Sequence, residues 1–555
     1  MKNWRINILL FLFFVVSSLI VFRLYYLQIK KGEYYQALAL GQHILFEEVK
    51  GERGGIFFKK EKSSLAQTKT KNLIYVFPSK IQDKEEIIDF LADVLGEDKD
   101  DLTTSFQKEE ILKREVSDEI LEKLKNENIE GVYQDQIFAR FYPQNNLTSH
   151  LTGFVNEEGE GQYGIEGYYN EVLKGKEGLK ETERSPFGFL ALFLDSKDKE
   201  EFKKGADIFL TIDHNIQYFS DKLLKEAKEE WDIDSGQIIV GDPLSGKILA
   251  LATFPNFDPN QYYLEENFDN FVNSALQKLF EPGSVFKPIV MAAALNEDLI
   301  TPETKHEDRG YVDLGGPPIY NFNKRVWREQ TMTDVLEESI NTGAVFVEQK
   351  LGKELFLRYL ERFGFFEKTD IDLQGEVFSS NETLKDGYAR DIAVASFGQG
   401  IAITPIQLVR AFSAIANGGK LMKPYLVEKM VQSDGKEVEL SPQTQREVIS
   451  QKAAAKLTSM LVSVVEKGSG RRAKIEGYFI AGKTGTAQVP QKGGYSEEET
   501  IQSFMGYFPA FNPKVIIFVK LDNPKYVETA EYSATILFNK LAKRIIDLWQ
   551  IPPNY

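Results

Sequence analysis

The chain opens on an almost wholly apolar run, INILLFLFFVVSSLIVF at residues 6–22, which LYYLQI extends after Arg23. Together they are long enough to cross a bilayer, and no second run compares with it. Residues 45–80 then mix short strand-like stretches with glycine turns. Between 84 and 130 the pattern changes, and KEEIIDFLADVLG and DEILEKLKNENI place apolar residues at helical spacing on charged backgrounds. IEGVYQDQIFARFYP returns to strand-like text, so this region predicts a mixed domain with a helical insertion. A charged run, KDKEEFKKGAD at 197–207, reads as solvated surface.

A larger unit starts near IFLTIDHNIQ. The helical IQYFSDKLLKEAKEEW precedes two strand candidates, SGQIIVGDP and SGKILALAT, joined by a Gly/Pro/Ser turn. Helical text follows in VFKPIVMAAALNE, TMTDVLEESI, TGAVFVEQKLGKELFLRYLERF and PIQLVRAFSAIANGG, the last with a glycine stop. After KAAAKLTSMLVSVVE, strands resume in YFIAGKTGTAQV, SFMGYFPA and KVIIFVKLD, and ATILFNKLAKRIIDLW closes as a helix. This order predicts an α+β fold, an antiparallel sheet whose early hairpin and late strands lie side by side with helices inserted between them.

Composition narrows the chemistry. A chain of 555 residues needs two or more domains. The net charge of −16 argues against a nucleic-acid binder, whose footprint is a basic face. Cysteine is absent, which removes thiolate nucleophiles, disulfides and cysteine metal sites, and the four histidines supply a histidine-dependent triad or zinc cluster poorly. Lys2 and Arg5 precede the apolar run while Arg23, Lys30 and Lys31 follow it, so charge alone does not orient it. The small residues of ALALG, 37–41, lie too far beyond it for an ordinary cleavage site, which favours an uncleaved single-pass anchor. GDPLSGKI, 241–248, nearly matches a phosphate-binding loop, but Ile248 replaces the required Ser or Thr and a hairpin is the wrong context.

Acyl transfer without histidine requires another base, and lysine serves once desolvation or a neighbouring cation lowers its pKa. Three Ser-x-x-Lys pairs occur: Ser196/Lys199 in the charged run, Ser433/Lys436 in the turn QSDGK, and Ser284/Lys287 in EPGSVFKP. Only the last opens an apolar helix, whose first turn gives Ser284 the positive end of the dipole and tolerates Pro288. On the pair alone, helix capping by Ser284 with Lys287 as surface charge is the simpler reading. SIN at 339–341 interrupts helical text, although Ser379/Asn381 fits the same pattern. KTGT at 483–486 is more specific, since a given four-residue string is expected in such a chain about 1% of the time. Its glycines would let a ligand's backbone lie close to a strand.

SxxK, SxN and KTG in this order form the penicillin-binding protein and serine β-lactamase set. The chain resembles a class B penicillin-binding protein, a monofunctional transpeptidase of the bacterial cell wall. The resemblance covers the anchor, RGGI (53–56) with LA (65–66), HLTGFV (150–155), GIEGYYNEVLKGKEG (164–178), LTID (210–213) and GDPLSGKILALATFPNFDPN (241–260). It continues through EPGSVFKP, EESINTG, FGQGIAITPIQL and AGKTGTAQ, and within the class the text is more similar to the septal, cell-division type than to the elongation type. One departure stands out: the family's usual Asp-Arg-x-Gly is replaced by IFFKKEKSSLA at 56–66.

The resemblance implies a tail and anchor over 1–30, a pedestal over 45–200 and a transpeptidase domain over 206–550. It implies Ser284 as nucleophile, Lys287 as its general base, and Ser339 as proton relay to the leaving amine. Asn341 would orient Lys287 and hold a substrate amide, while a protonated Lys483 would support the network and the substrate carboxylate. Thr484, Gly485 and Thr486 would bind substrate, with the backbone N–H groups of Ser284 and Thr486 as the oxyanion hole. The implied substrates are stem peptides ending in D-Ala-D-Ala, with β-lactams as inhibitors and no cofactor or metal. The implied partners are a membrane glycosyltransferase and other division proteins, and the implied location is the cell membrane with the catalytic domain outside. Elongation-type transpeptidase, D,D-carboxypeptidase and β-lactamase are the enzymatic alternatives, and a division scaffold or β-lactam sensor is the non-enzymatic one.

Overall fold

The computed structural model describes residues 4–26, 44–49, 52–59, 63–108, 111–127, 129–175, 178–183, 204–491 and 494–555. Ser196, Lys199, most of the charged run around them and ALALG lie outside the described residues. Residues 1–52 and 174–205 form one unit, and residues 53–173 and 206–555 form a second.

In the first unit the apolar run is helical as α1, Trp4–Tyr25, 22 residues long. Its side chains are described from Leu10 onward, and its large apolar ones, Phe11 and Phe13 among them, are exposed. Among the described residues no helix is by itself long and apolar enough to cross a membrane. Ile44–Val49 and Gly178–Glu183 pair antiparallel in the same unit.

The N-terminal part of the second unit is built on β1 (Ile56–Phe57), β2 (Ser64–Val76), β3 (Leu112–Val116), β4 (Val132–Phe141) and β5 (Asp207–Leu210). The long β2 pairs antiparallel with both β3 and β4. The helical insertion is present as Lys84–Leu95, Lys99–Gln107 and Asp118–Glu127, whose Ile88, Leu91, Leu102, Phe106, Leu121 and Leu124 share a core with Ile74 and Val76 of β2. Those apolar positions recur at helical spacing, which is why the region was legible as helix. Gly96 ends the first of these helices at φ 68°, and the Asp98 side chain caps the next.

β1 runs parallel to β5, and β5 pairs on its other side with Val427–Val431, so one mixed sheet takes strands from both sides of residue 206. The segment that departs from the family's usual Asp-Arg-x-Gly still forms this structure, with Ile56 opposite Ala66 and Phe57 opposite Ser64. Arg53 is fixed by a buried carboxylate. Its Nε donates to Glu166 Oε2 at 2.6 Å, Arg140 Nε donates to Oε1 at 2.6 Å, and Glu166 has no exposed surface.

The C-terminal part carries a five-stranded antiparallel sheet of β6 (Ser235–Gly241), β7 (Ile248–Phe254), β8 (Ala481–Gln491), β9 (Gly494–Phe508) and β10 (Val515–Asp522), in the order β7-β6-β10-β9-β8. The GDPLSGKI segment is the β6–β7 turn, closed by Gly246 N to Asp242 O at 2.9 Å, and no helix follows it. Alternation sorts the strand residues between two layers. Ile238 and Val240 face α2 (His214–Trp231) and the C-terminal helix Ala534–Trp549, while Ile239 faces the other helical layer. That layer contains α3 (Lys287–Asn296), α4 (Met332–Glu337), α5 (Asn341–Leu351), α6 (Pro405–Ala416) and α7 (Gln451–Glu466). β8 is an edge strand, and its outer side borders the cleft where the three motifs meet.

Candidate active site

Ser284 lies in a short 3-10 turn, Gly283–Phe286, and α3 begins at Lys287. The sequence placed Ser284 in the helix's first turn; the structure sets it just before, and its side chain caps neither the 3-10 turn nor α3. Capping therefore does not explain this serine. Gly283 has φ 61° and donates its N–H to Gly398 O at 2.9 Å. A Cβ on Gly398, itself at φ 81°, would come within 2.1 Å of Gly283 O, so FGQG buttresses the serine turn backbone to backbone. Gly485 serves the same closeness from the strand side: a Cβ there would lie 2.3 Å from Val285 Cγ1 and 2.6 Å from Ser503 Oγ.

Lys287 is 1% exposed, and its Nζ donates to Ser339 O at 2.5 Å and Asn341 Oδ1 at 2.8 Å, with Ser339 Oγ at 3.2 Å. These bonds point to the SxN segment and none goes to Ser284. Ser339 links α4 to α5 at φ 58°, a left-handed conformation that is uncommon for serine and turns its hydroxyl toward both lysines. On β8, Lys483 has no exposed surface; its Nζ donates to Ser339 Oγ at 3.0 Å, Thr484 O at 3.0 Å and Thr484 Oγ1 at 3.3 Å. Ser339 Oγ thus stands between two buried amines.

The electrostatics follow from that burial. Desolvation, then the charge of Lys483, holds the Lys287 amine well below the ordinary lysine pKa. Desolvation also lowers Lys483, to about 7. Sequence reasoning expected Lys483 to stay protonated; burial without a carboxylate partner instead leaves it poised near neutrality. Among the described residues no acid forms an ion pair with either amine, which favours a site built to receive a negatively charged ligand.

The remaining candidates fall into place around this centre. Thr484 Oγ1 lies 2.9 Å from Ser469 Oγ, and Thr486 Oγ1 accepts the N–H of Ala530 at 3.2 Å. Asn341 turns its other amide end to Tyr320 O at 3.0 Å. A cleft of about 2090 Å³ is lined by Ser284, Ser339, Asn341, Thr484 and Thr486, with Tyr320, Glu338 and Ser469. Ser433 and Lys436 are exposed in a turn, and Asn381 braces the backbone of Ala402, so neither rival pair builds a site. Sequence reasoning missed Ser469 and Tyr320; Gly468 and Gly470 around Ser469 were the only visible signal.

The penicillin-binding protein transpeptidase domain matches residues 236–547, and the penicillin-binding protein dimerisation domain matches residues 48–210. The chain belongs to the class B penicillin-binding proteins. It is 32% identical to stage V sporulation protein D of Bacillus subtilis over 95% of this chain and 83% of that protein. It is 30% identical to a peptidoglycan D,D-transpeptidase FtsI homolog of Mesostigma viride, over 99% and 96%. The fold is also that of penicillin-binding protein 2X from Streptococcus thermophilus, with a TM-score of 0.77 at 23% identity, over 91% of this chain and 80% of that one. In this penicillin-binding protein, as the motif order implied, residues 284–287, 339–341 and 483–486 surround one cleft.

Proposed function

We propose that this class B penicillin-binding protein is a serine D,D-transpeptidase that cross-links peptidoglycan stem peptides. The observation that carries the reading is Ser339 Oγ, 3.2 Å from Lys287 Nζ and 3.0 Å from Lys483 Nζ, beside a nucleophile that opens on the cleft. Ser284 Oγ attacks the carbonyl carbon of the penultimate D-Ala and its proton passes to neutral Lys287. The backbone N–H groups of Ser284 and Thr486 hold the oxyanion. As the amide bond breaks, a proton returns through Ser339 to the departing D-Ala nitrogen, leaving an ester on Ser284. An acceptor amine from a neighbouring stem peptide then attacks that ester, forms the cross-link and frees Ser284.

The hydrogen bonds define the resting state that must be left behind. A neutral Lys287 has two N–H donors, which Ser339 O and Asn341 Oδ1 take, so its lone pair faces Ser339 Oγ. Substrate entry has to turn that hydroxyl before the lone pair reaches the Ser284 proton. A terminal carboxylate placed against Lys483, Thr484 and Thr486 supplies the reason: it draws the Lys483 cation and the threonine hydroxyls toward itself. The donor strand lies along the free edge of β8, where unpaired backbone groups accept an extended peptide.

The apolar helix α1 anchors the chain in the cell membrane, with the short N-terminus inside and the rest outside. Support comes from the apolar run at residues 6–22, which with LYYLQI is long enough to span a bilayer, and from the exposed apolar side chains of α1. Residues 45–200 act as the pedestal and 206–550 as the transpeptidase domain, which works in septal wall synthesis with a membrane glycosyltransferase and other division proteins. β-Lactams acylate Ser284 as substrate mimics. The test is product analysis with a D-Ala-D-Ala stem peptide and an amine acceptor: released D-Ala with a cross-linked dimer supports transpeptidation, whereas D-Ala with only the shortened monomer means carboxypeptidation. Rapid repeated turnover of penicillin would favour the β-lactamase alternative.

A further inference from the structure

Between α3 and α4 the chain makes an excursion of short strands, Lys305–Asp308 paired with Arg328–Thr331 and Tyr311–Val312 paired with Ile319–Tyr320. A buried carboxylate sits inside it. Asp308 is 1% exposed, and no lysine or arginine among the described residues forms an ion pair with it. It accepts hydrogen bonds from Thr342 Oγ1 at 2.6 Å, Trp327 N at 2.7 Å, Gly310 N at 2.8 Å and Asn321 Nδ2 at 2.9 Å to each oxygen. Burial pushes its pKa up, yet the bonds from Thr342, Trp327, Gly310 and Asn321 outweigh burial and hold it below the ordinary value.

Two of those donors lead to the reacting groups. Thr342 stands in the first turn of α5, directly after Asn341, and its N–H donates to Asn321 Oδ1 at 3.1 Å. Asn321 follows Tyr320, whose carbonyl accepts Asn341 Nδ2 at 3.0 Å. A carbonyl accepts only the NH2 end of an amide, so Tyr320 O decides which way Asn341 is turned. The end left over, Oδ1, is the one 2.8 Å from Lys287 Nζ. A flipped Asn341 would set donor against donor at the lysine.

We propose that Asp308 is a positioning residue for acyl transfer: its carboxylate locks Asn321 to Thr342, so that the Tyr320 carbonyl holds Asn341 with its oxygen on Lys287. This rests on the reading above that Lys287 is the base and Asn341 orients it. Asp308→Asn tests it with little change in size. The new amide has one acceptor oxygen and an NH2 that must face groups which themselves donate, so the lock loosens where the fold is kept.

The measurement is stopped-flow acylation by a fluorescent penicillin, on the full chain in detergent, for wild type, Asp308→Asn, Asn341→Ala and the double variant, with thermal melting followed by circular dichroism. Asp308→Asn slows the covalent step roughly tenfold or more, as displaced catalytic groups do, and leaves the non-covalent dissociation constant within about twofold. In the Asn341→Ala background the same change slows acylation by less than about twofold, because two residues acting through one contact are not additive. Wild-type acylation by Asp308→Asn beside a slow Asn341→Ala overturns the proposal, and so do fully additive effects, which would mean Asp308 serves the fold alone. Wild-type acylation by Asn341→Ala instead removes the underlying reading of Asn341, and the proposal with it. If Asp308→Asn does not fold, Thr342→Val carries the test. It deletes one donor to Asp308 and acylates slowly, Thr342→Ser restores the rate, and equal rates for the two overturn the proposal.

Discussion

Lys483→Arg is the substitution in which burial, charge and catalysis meet. Lys483 has no exposed surface, and desolvation lowers its pKa from 10.5 to about 7. Lowering of that size amounts to about 5 kcal/mol of preference for the neutral amine. In the free enzyme a growing share of the molecules loses the Lys483 cation as the pH rises above about 7. If the cation receives the drug's carboxylate, the second-order acylation rate falls about tenfold per pH unit on the alkaline side. The covalent rate at saturating drug keeps its alkaline limb at higher pH, because a bound carboxylate favours the charged amine. Arginine stays protonated throughout, so Lys483→Arg loses part of the rate through its altered geometry but shows no alkaline limb up to about pH 10. The same displacement fixes the sign for stability. Between about pH 7 and 10.5 the unfolded chain binds the proton that folded Lys483 has lost, so unfolding free energy from this residue rises with pH through that window. Stopped-flow acylation from about pH 6 to about pH 10 reads the limb. An unchanged alkaline limb in Lys483→Arg, or a flat wild-type profile to about pH 10, refutes the reasoning.

Three further substitutions probe separate parts of the account. Lys287→Arg places a permanent charge where burial holds the lysine neutral and has no accessible neutral form, so it binds penicillin without acylating; near wild-type acylation would pass the role of base to Lys483 through Ser339. Gly485→Ala drives a Cβ to 2.3 Å from Val285 Cγ1, which lowers stability by about 1–3 kcal/mol and displaces the Ser284 turn. An unchanged melting temperature and acylation rate would contradict that close approach. Glu166→Gln leaves Arg53 and Arg140 without their buried counter-charge and costs about 3–5 kcal/mol; a loss below about 1 kcal/mol by denaturant unfolding would show that the cluster is not worth what its burial implies.

The elements that could be read from the chain were those with a clean period or a strong punctuation. The terminal helix falls on residues 534–549 as its spacing predicts, and PIQLVRAFSAIA is a helix that opens with a Thr404–Gln407 capping box. KTGT lies on a strand, and the phosphate-loop look-alike is a hairpin turn. What sequence could not show depends on distant pairing. Val427–Val431 joins β5 because tertiary contacts select the partner and no local pattern names it, whereas β6 lies beside β10 as the expected early hairpin against the late strands. The left-handed Ser339 gave no signal, since neither glycine nor proline marks it. Asp308 belongs to no motif in the sequence, and only the fold brings Asn321, Trp327 and Thr342 to it. Lys483 could be identified from its motif while its charge state could not, because that is set by burial.

The central claim is that Ser284 becomes the acyl carrier of a lysine-activated site, and intact-protein mass after exposure to a β-lactam tests it most directly. The full chain should gain the mass of one drug molecule, and peptide mapping should place it on the segment containing EPGSVFKP, 281–288. Ser284→Ala, folded by circular dichroism, should gain nothing. An adduct mapped to any other residue, or undiminished labelling of the alanine variant, would contradict the account.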